Sequence, residues 1–325
     1  MNNTHAGAAQ VVTLGETMVL LCTPHIGPLR HARSLDVAVG GAESNLAVGL
    51  TRLGVPTAWV GRVGDDEFGR LVTAVLAGEG VDITGAVVDP GASTGLMVKA
   101  RRTSTATQVH YYRAGSAGSR LAVGDLPGEA IRGCRLLHVT GITPALSASA
   151  RDAVDAAVAM SGGLVSLDLN YRAALWPPEE AAPVLRGLVA RADVVFATEE
   201  EARLVLGPGH TATPPHALAH ALAALGPAQV LLKRGARGAV AVVGGVAYDA
   251  PVHRVAAVDP VGAGDAFAAG YLAELLAGAD VPARLATAAA AGAFAVTVPG
   301  DWEGLPRRPE LELLHRVDAE EAVLR

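Results

Sequence analysis

The chain is 325 residues long, half of it apolar, and carries a formal net charge of −6 with no run of lysines or arginines. That length and composition suffice for a large buried core and argue against disorder, and the acidic balance lacks the basic footprint of a nucleic-acid binder. The two cysteines, Cys22 and Cys134, lie far apart without a Cys-x-x-Cys spacing, so neither a disulfide framework nor a zinc site is expected, only buried reduced thiols.

The opening MNNTHAGAAQ has no basic region and no apolar stretch, so no secretory leader is expected and the expected location is the cytoplasm. VVTLG at Val11 then begins an alternation of short β-branched runs with helical patterns. TAWVGRV at Thr57, LLHVTGI at Leu136, LVSLDLN at Leu164, DVVFAT at Asp193 and QVLLKRG at Gln229 continue the strands. Between the first two, Leu46, Leu50 and Leu53 recur at helical spacing with Gly54 as a cap, and Phe68, Leu71, Val72, Val75 and Leu76 repeat the pattern before Gly78 and Gly80. Near-continuous apolar strands covered by amphipathic helices predict a doubly wound α/β layer with a mostly parallel sheet, in one domain over residues 1–325. GPGHTATPPH at Gly207 reads as a surface loop. LATAAAAGAFAVTVPG at Leu285 falls short of the ~20 apolar residues of a membrane span and is expected as a core helix running into a strand.

Two regions break the alternation. MVLLCTP with LDVAVGG, and TGLMVKARR with TQVHYYR, follow one another as strands without a helix between, and predict a small separate sheet drawn from about residues 16–41 and 94–114.

The chemistry-bearing stretch is DPVGAGDAF, from Asp259. Glycines ahead of a helix let successive N–H groups approach an anion, and the helix N-terminus adds partial positive charge. Asp265 in that first turn is either an N-terminal cap or a base beside the anion, and the local pattern does not choose between them. No G-x-x-x-x-G-K-[ST] occurs, and G-x-G-x-x-G fails because Phe267 stands where its third glycine should be, which disfavours a P-loop and a dinucleotide-dependent oxidoreductase.

DPVGAGDAFAAGYL resembles the C-terminal signature of the ribokinase (PfkB) family of carbohydrate kinases, and GGAESNLAVGLTRLG followed by GRVGDDEFG resembles its N-terminal signature, in the same order and over nearly the whole chain. The resemblance implies a ribokinase-like α/β sandwich in which the small sheet is a lid over a sugar. It implies ATP and Mg²⁺, with Gly262, Ala263 and Gly264 as an anion hole and Asp265 as the base for a sugar hydroxyl. LLKRGARGA would bring Lys233, Gly235 and Gly238 to ATP, the alternative being an ordinary glycine-rich turn. FATEEEARLVLG corresponds to an Asn-x-x-Glu motif with Thr198 in place of the Asn. Glu201 would help hold Mg²⁺ through waters, the alternative being an acidic first turn of a helix. Asp259 falls where family members place a monovalent-cation loop.

The substrate is sought in two arginine-bearing segments. In TQVHYYRAGSAGSRL, alternation puts Val109, Tyr111 and Arg113 on one strand face. A guanidinium there suits a sugar acid, whose carboxylate matches its planar fork. SLDLNYRAALW resembles a motif shared by 2-keto-3-deoxygluconate kinases and several fructokinases. Asp168, Asn170 and Arg172 are read on one strand face between sugar and nucleotide, with Tyr171 beside them on the nucleotide side. YYRAGSAGSRL resembles the 2-keto-3-deoxygluconate kinases. The resemblance carries Gly40, Gly41, Asn45, Tyr111, Arg113, Arg172, Asp265 and Asp301 over as sugar-acid contacts, and Met97 occupies a place where these kinases read Tyr. The expected partners are a sugar acid and ATP, with no nucleic acid and no membrane. A homo-oligomer through the lid is also expected, because VLLC and LMV are apolar enough to want cover. The alternatives are a fructokinase or other hexose kinase, or a non-catalytic sugar sensor on the same scaffold.

Overall fold

The strands separate two hydrophobic cores because alternate side chains point to opposite faces. This is seen in a computed structural model that describes residues 9–103 and 106–317; the stretch read for a leader lies outside them up to residue 8. In chain order the first half runs β1 (Val11–Leu14), β2 (Met18–Cys22), β3 (Asp36–Gly40), α1 (Ala42–Arg52), β4 (Thr57–Gly64), α2 (Glu67–Gly78), β5 (Ala86–Asp89), β6 (Leu96–Arg101), β7 (Thr107–Tyr112), α3 (Gly128–Gly133), β8 (Leu136–Thr140) and α4 (Ala148–Met160). The second half runs β9 (Leu164–Asp168), α5 (Pro178–Val189), β10 (Val194–Thr198), α6 (Glu199–Leu206), α7 (Pro215–Ala223), β11 (Gln229–Lys233), β12 (Ala239–Val243), β13 (Val246–Asp249), α8 (Ala263–Leu276), α9 (Val281–Ala295) and α10 (Leu311–Val317).

Nine strands form the large sheet in the order β13-β12-β11-β10-β9-β8-β1-β4-β5. It is parallel from β11 to β5, while β12 and β13 add an antiparallel edge that the sequence pattern did not announce. Val12, Leu14, Leu137, Val139 and Leu167 face one core with residues of α4, α5, α6 and α7. Val11, Leu136, Val194, Phe196 and Leu231 face the other with α1, α8 and α9. The expected doubly wound sandwich is therefore present. Its topological switch lies at β1, which has β4 on one side and β8 on the other, and ligands in such sheets gather at the carboxyl ends of the strands.

Helix α8 is apolar almost all round, as a fully covered helix must be. Phe196 of β10 meets Phe267 and Tyr271 edge-on at centroid distances of 6.4 and 5.9 Å, which seats the helix on the sheet. Among the described residues no strand follows α9, contrary to expectation: Val296 to Gly300 make turns and bends, and Val258 and Asp259 donate to the carbonyl of Val296 in an isolated loop contact without a ladder.

The second sheet has four strands in the order β3-β2-β6-β7, as the two interrupted regions predict. Its apolar stretches are already covered within the chain. Val19 and Val39 pack with Trp59, Val72 and Leu76, and Leu20, Met18 and Met97 close a small cluster of their own. The need for cover that suggested a partner is thus met by α2 and the large sheet. The exposed large apolar residues on the strands of this sheet are Val37, Val109, Tyr111 and Tyr112.

Candidate active site

The turn into α8 is a backbone feature first. Gly262 is left-handed at φ +76°, and a Cβ there would fall 1.8 Å from the carbonyl oxygen of Asp301, so only glycine fits. Gly262, Ala263 and Gly264 then present the opening N–H groups of a 14-residue helix, which have no intrahelical acceptor. Asp265 does not spend its carboxylate on capping them: Asn45 Nδ2, from the neighbouring helix α1, donates to Asp265 Oδ2 at 2.8 Å. Burial, with the Asp168 carboxylate adding to it, pushes the Asp265 carboxyl up to about 7 against the opposing pull of Asn45, Lys233 and Arg172. The carboxylate is thus held by Asn45, with a pKa near neutrality.

On the lid side the predicted residues gather around this turn. Gly40 ends β3, and a Cβ on it would lie 2.6 Å from Asp301 Oδ2 and 2.8 Å from the Met97 methyl group. Gly41 opens α1 and its N–H reaches Asn45 Oδ1 at 3.4 Å. Glu43, buried in the same helix turn, accepts the hydroxyls of Thr140 and Thr143 at 2.7 and 2.8 Å and pins α1 to the carboxyl end of β8. Burial raises the Asp301 carboxyl to about 6, opposed by Lys99.

Arg113 departs from its expected setting. β7 ends at Tyr112, every residue of that strand is exposed, and Arg113 lies beyond it, 8% exposed. Alternation therefore does not place it. An ion pair does: Nε and Nη2 lie 2.7 and 2.5 Å from Oε2 of the fully buried Glu16, whose other oxygen takes Ser116 Oγ. The Tyr111 ring still sits beside the guanidinium, at 5.7 Å. Glu16 was not singled out from sequence, and the only signal for it is a carboxylate in the short GETM break between two apolar runs.

Across the α8 terminus lies an open cleft of about 620 Å³, lined by Lys233, Gly238, Val252, Phe267, Gly292 and Val296 among others. Gly235, Ala263 and Gly264 also border it, so the expected ATP loop and two of the three expected anion-hole positions meet there, while Gly262 is not among its lining residues. The contributions of α9 and of residues 251–257 were not legible in the sequence. Lys233 does not project freely into the cleft: its Nζ is 2.5 Å from Asp168 Oδ2. Asp168 Oδ1 is buried without a partner among the described residues.

Asp168, Asn170 and Arg172 do not share a strand face. β9 stops at Asp168 and Asn170 is left-handed at φ +41°, so the period of two ends there. Arg172 is exposed, with Nη1 on the Tyr171 carbonyl at 3.2 Å. Glu201 forms a capping box with Thr198: Glu201 Oε2 accepts the Thr198 N–H at 2.7 Å, and Thr198 Oγ1 accepts the Glu201 N–H. Its Oε1 accepts the Tyr171 N–H at 2.9 Å, which ties the β9 exit to α6. The neighbouring Glu199 is consumed by Arg203, Arg234 and Arg237. Among the described residues no group of three or more His, Cys, Asp or Glu could hold a metal ion, and no helix is long and apolar enough to cross a membrane.

Residues 8–308 match the family model described as pfkB family carbohydrate kinase. The chain is 37% identical to a 2-dehydro-3-deoxygluconokinase of Thermoproteus tenax, over 94% of this chain and 93% of that one. It is 36% identical to a fructokinase of Escherichia coli over 94% and 99% of the two chains. Among solved structures, an Escherichia coli protein described as a putative ribokinase II and solved in complex with ATP and Mg²⁺ superposes with a TM-score of 0.87 at 28% identity, over 95% of this chain and 99% of that one.

Proposed function

Because the chain belongs to the pfkB family of carbohydrate kinases and is a sugar kinase, we propose that it transfers the γ-phosphoryl group of ATP to the terminal hydroxyl of 2-keto-3-deoxygluconate. The observation that carries the reading is Asp265: a carboxylate raised to about 7, positioned by Asn45, between a glycine turn and a lid. In the proposed step Asp265 takes the hydroxyl proton, the freed oxygen bonds to the γ-phosphorus, and the bond to the ADP oxygen breaks. The Gly262–Gly264 N–H groups meet the charge on the phosphoryl oxygens.

A cleft of about 620 Å³ is within the range of roughly 300–1,000 Å³ typical of small-molecule sites, and its glycine-rich rim suits a nucleotide. The donors present also fit Mg²⁺. The unpartnered Asp168 Oδ1 and the nearby Glu201 are hard oxygen ligands of the kind magnesium uses one or two at a time, with waters and phosphate supplying the rest. When bound, the ion would offset phosphate charge. Lys233, paired with Asp168, would hold that carboxylate in place.

For the acceptor, Arg113 supports a sugar acid: Glu16 engages its Nε and Nη2 edge and fixes the fork, whose remaining donors would meet a substrate carboxylate. The same ion pair favours one competing reading, because an arginine already neutralised by Glu16 is compatible with an uncharged hexose such as fructose. Initial rates with ATP and each of the two substrates decide between them. The reading expects kcat/KM at least tenfold higher for the sugar acid, and a preference for fructose overturns it. We also propose a homo-oligomer through the lid, where Val37, Val109 and Tyr112 are the exposed apolar residues; a monomer in sedimentation velocity would refute it.

A further inference from the structure

Lys99 is a charged group that the chemistry above leaves unused. It stands in β6 beside Val98 and Ala100, both buried, and is itself 6% exposed. An ammonium in such a place is costly unless its charge is met. Its Nζ lies 2.6 Å from Asp259 Oδ2 and 3.5 Å from Asp301 Oδ1. Both carboxylates belong to the segments that shape the glycine turn. Asp259 Oδ1 accepts the Val261 N–H at 3.2 Å and Oδ2 the Gly300 N–H at 3.3 Å. The carbonyl of Asp301 is the wall against which Gly262 rests. Two more titratable groups lie close: Cys22, opposite Lys99 in the ladder and held at about 11 by burial, and Glu303, whose carboxylate takes the N–H groups of Asp301 and Trp302. One ammonium therefore answers two carboxylates, Asp301 buried and Asp259 half-buried.

We propose that Lys99 is a positioning residue: its ammonium ties the lid strand to the loops before and after α8, and so holds the Gly262–Gly264 turn in place beside Asp265. The proposal rests on the reading of that turn as the anion site. Without the ammonium, Asp259 and Asp301 repel each other, the Asp301 loop withdraws, and Gly262 loses its wall.

The test is Lys99→Met, which keeps the stem and removes the charge, compared with wild type and Lys99→Arg in choline, potassium and ammonium chloride at constant ionic strength. For Lys99→Met in choline we expect kcat to fall about 100-fold, the scale of losing one preorganised anion donor, with KM for the sugar acid rising as well because Asp301 moves with its loop. Its Tm should drop by roughly 5–10 °C. Ammonium or potassium should restore kcat at least about tenfold and raise Tm in this variant only, by supplying the missing charge. Lys99→Arg should stay within about tenfold of wild type. Should Lys99→Met prove too unstable to assay, Lys99→Met/Asp259→Asn, which removes the cation and one carboxylate together, should recover stability and respond less to ammonium. Wild-type kcat in Lys99→Met overturns the proposal, and so does a lowered Tm with no response to either cation. If wild type phosphorylates fructose and not the sugar acid, the substrate reading fails and the same comparison is made on fructose. The Tm response is read without any substrate.

Discussion

The two sides of the α8 terminus are built from different materials. Toward the lid, side chains are held by other side chains: Asn45 on Asp265, Glu16 on Arg113, Lys99 on Asp259 and Asp301. Toward the cleft, the walls are small residues and turns such as Gly238, Gly264 and Gly292. On the function proposed above, the difference is one of selectivity. A sugar is distinguished by its hydroxyls and charge, which demands polar groups fixed in a buried network, and each such group is costly to leave unpaired. A nucleotide is admitted by space and by backbone N–H groups, so single changes there should act through volume.

The sharpest break of this contrast is Asp265→Asn. It should lower kcat by at least about 1,000-fold while calorimetry finds sugar affinity within about threefold of wild type; near-normal turnover would remove the base from the lid side. Glu16→Gln leaves the Arg113 charge buried and unanswered, and chemical denaturation should show a loss of about 3 kcal/mol, against less than about 1 kcal/mol for a surface glutamate such as Glu67. Arg113→Ala should raise KM for the sugar acid about 30-fold or more and leave fructose kinetics little altered. On the cleft side, Gly292→Val should raise KM for ATP about tenfold with KM for the sugar unchanged, since it adds volume where a Cβ already comes 3.3 Å from the Ala263 carbonyl.

The pH dependence separates the two sides further. Asp265 rises from 3.8 to about 7 in the folded chain, so wild-type kcat/KM should fall about tenfold per pH unit below that value as the base takes a proton. The same shift acts oppositely on stability. Between about 4 and 7 the folded state binds more protons than the unfolded one, so stability declines as pH rises through that window. Asp265→Asn should therefore melt higher than wild type at pH 8 and close to it at pH 4, and equal melting at both would contradict the raised pKa. Asp301, raised to about 6, contributes in the same direction, and Lys99 opposes it.

Much of this was legible in the residues. The alternation of β-branched runs with helical spacing predicts the parallel sheet, its interruption predicts the lid, and two glycines before Asp265 mark the helix mouth. Where the reading failed, it had extended a period past its end. Arg113 and Arg172 were placed by strand alternation, but β7 stops at Tyr112 and β9 at Asp168. Beyond those ends the chain's course is governed by Glu16 and by the left-handed Asn170. The acidic run at Glu199 shows a different limit: Glu199 pairs with arginines while Glu201 closes a capping box with Thr198, a division of labour that identical neighbours do not announce.

The sequence by itself determined the elements, their order and the glycine turn, because periodicity and turn chemistry depend on residues only a few positions apart. The tertiary structure alone decided which charges meet. Arg113 finds Glu16 across 97 positions, Lys99 finds Asp259 across 160, and Asn45 finds Asp265 across 220. Such pairings arise from the need to answer each buried charge once the layers have closed, and that need has no local signature. The acidity of Asp265 is of the same kind: its residue type is written in the chain, and its protonation is set by burial and by Asp168, Asn45, Lys233 and Arg172, which folding brings around it.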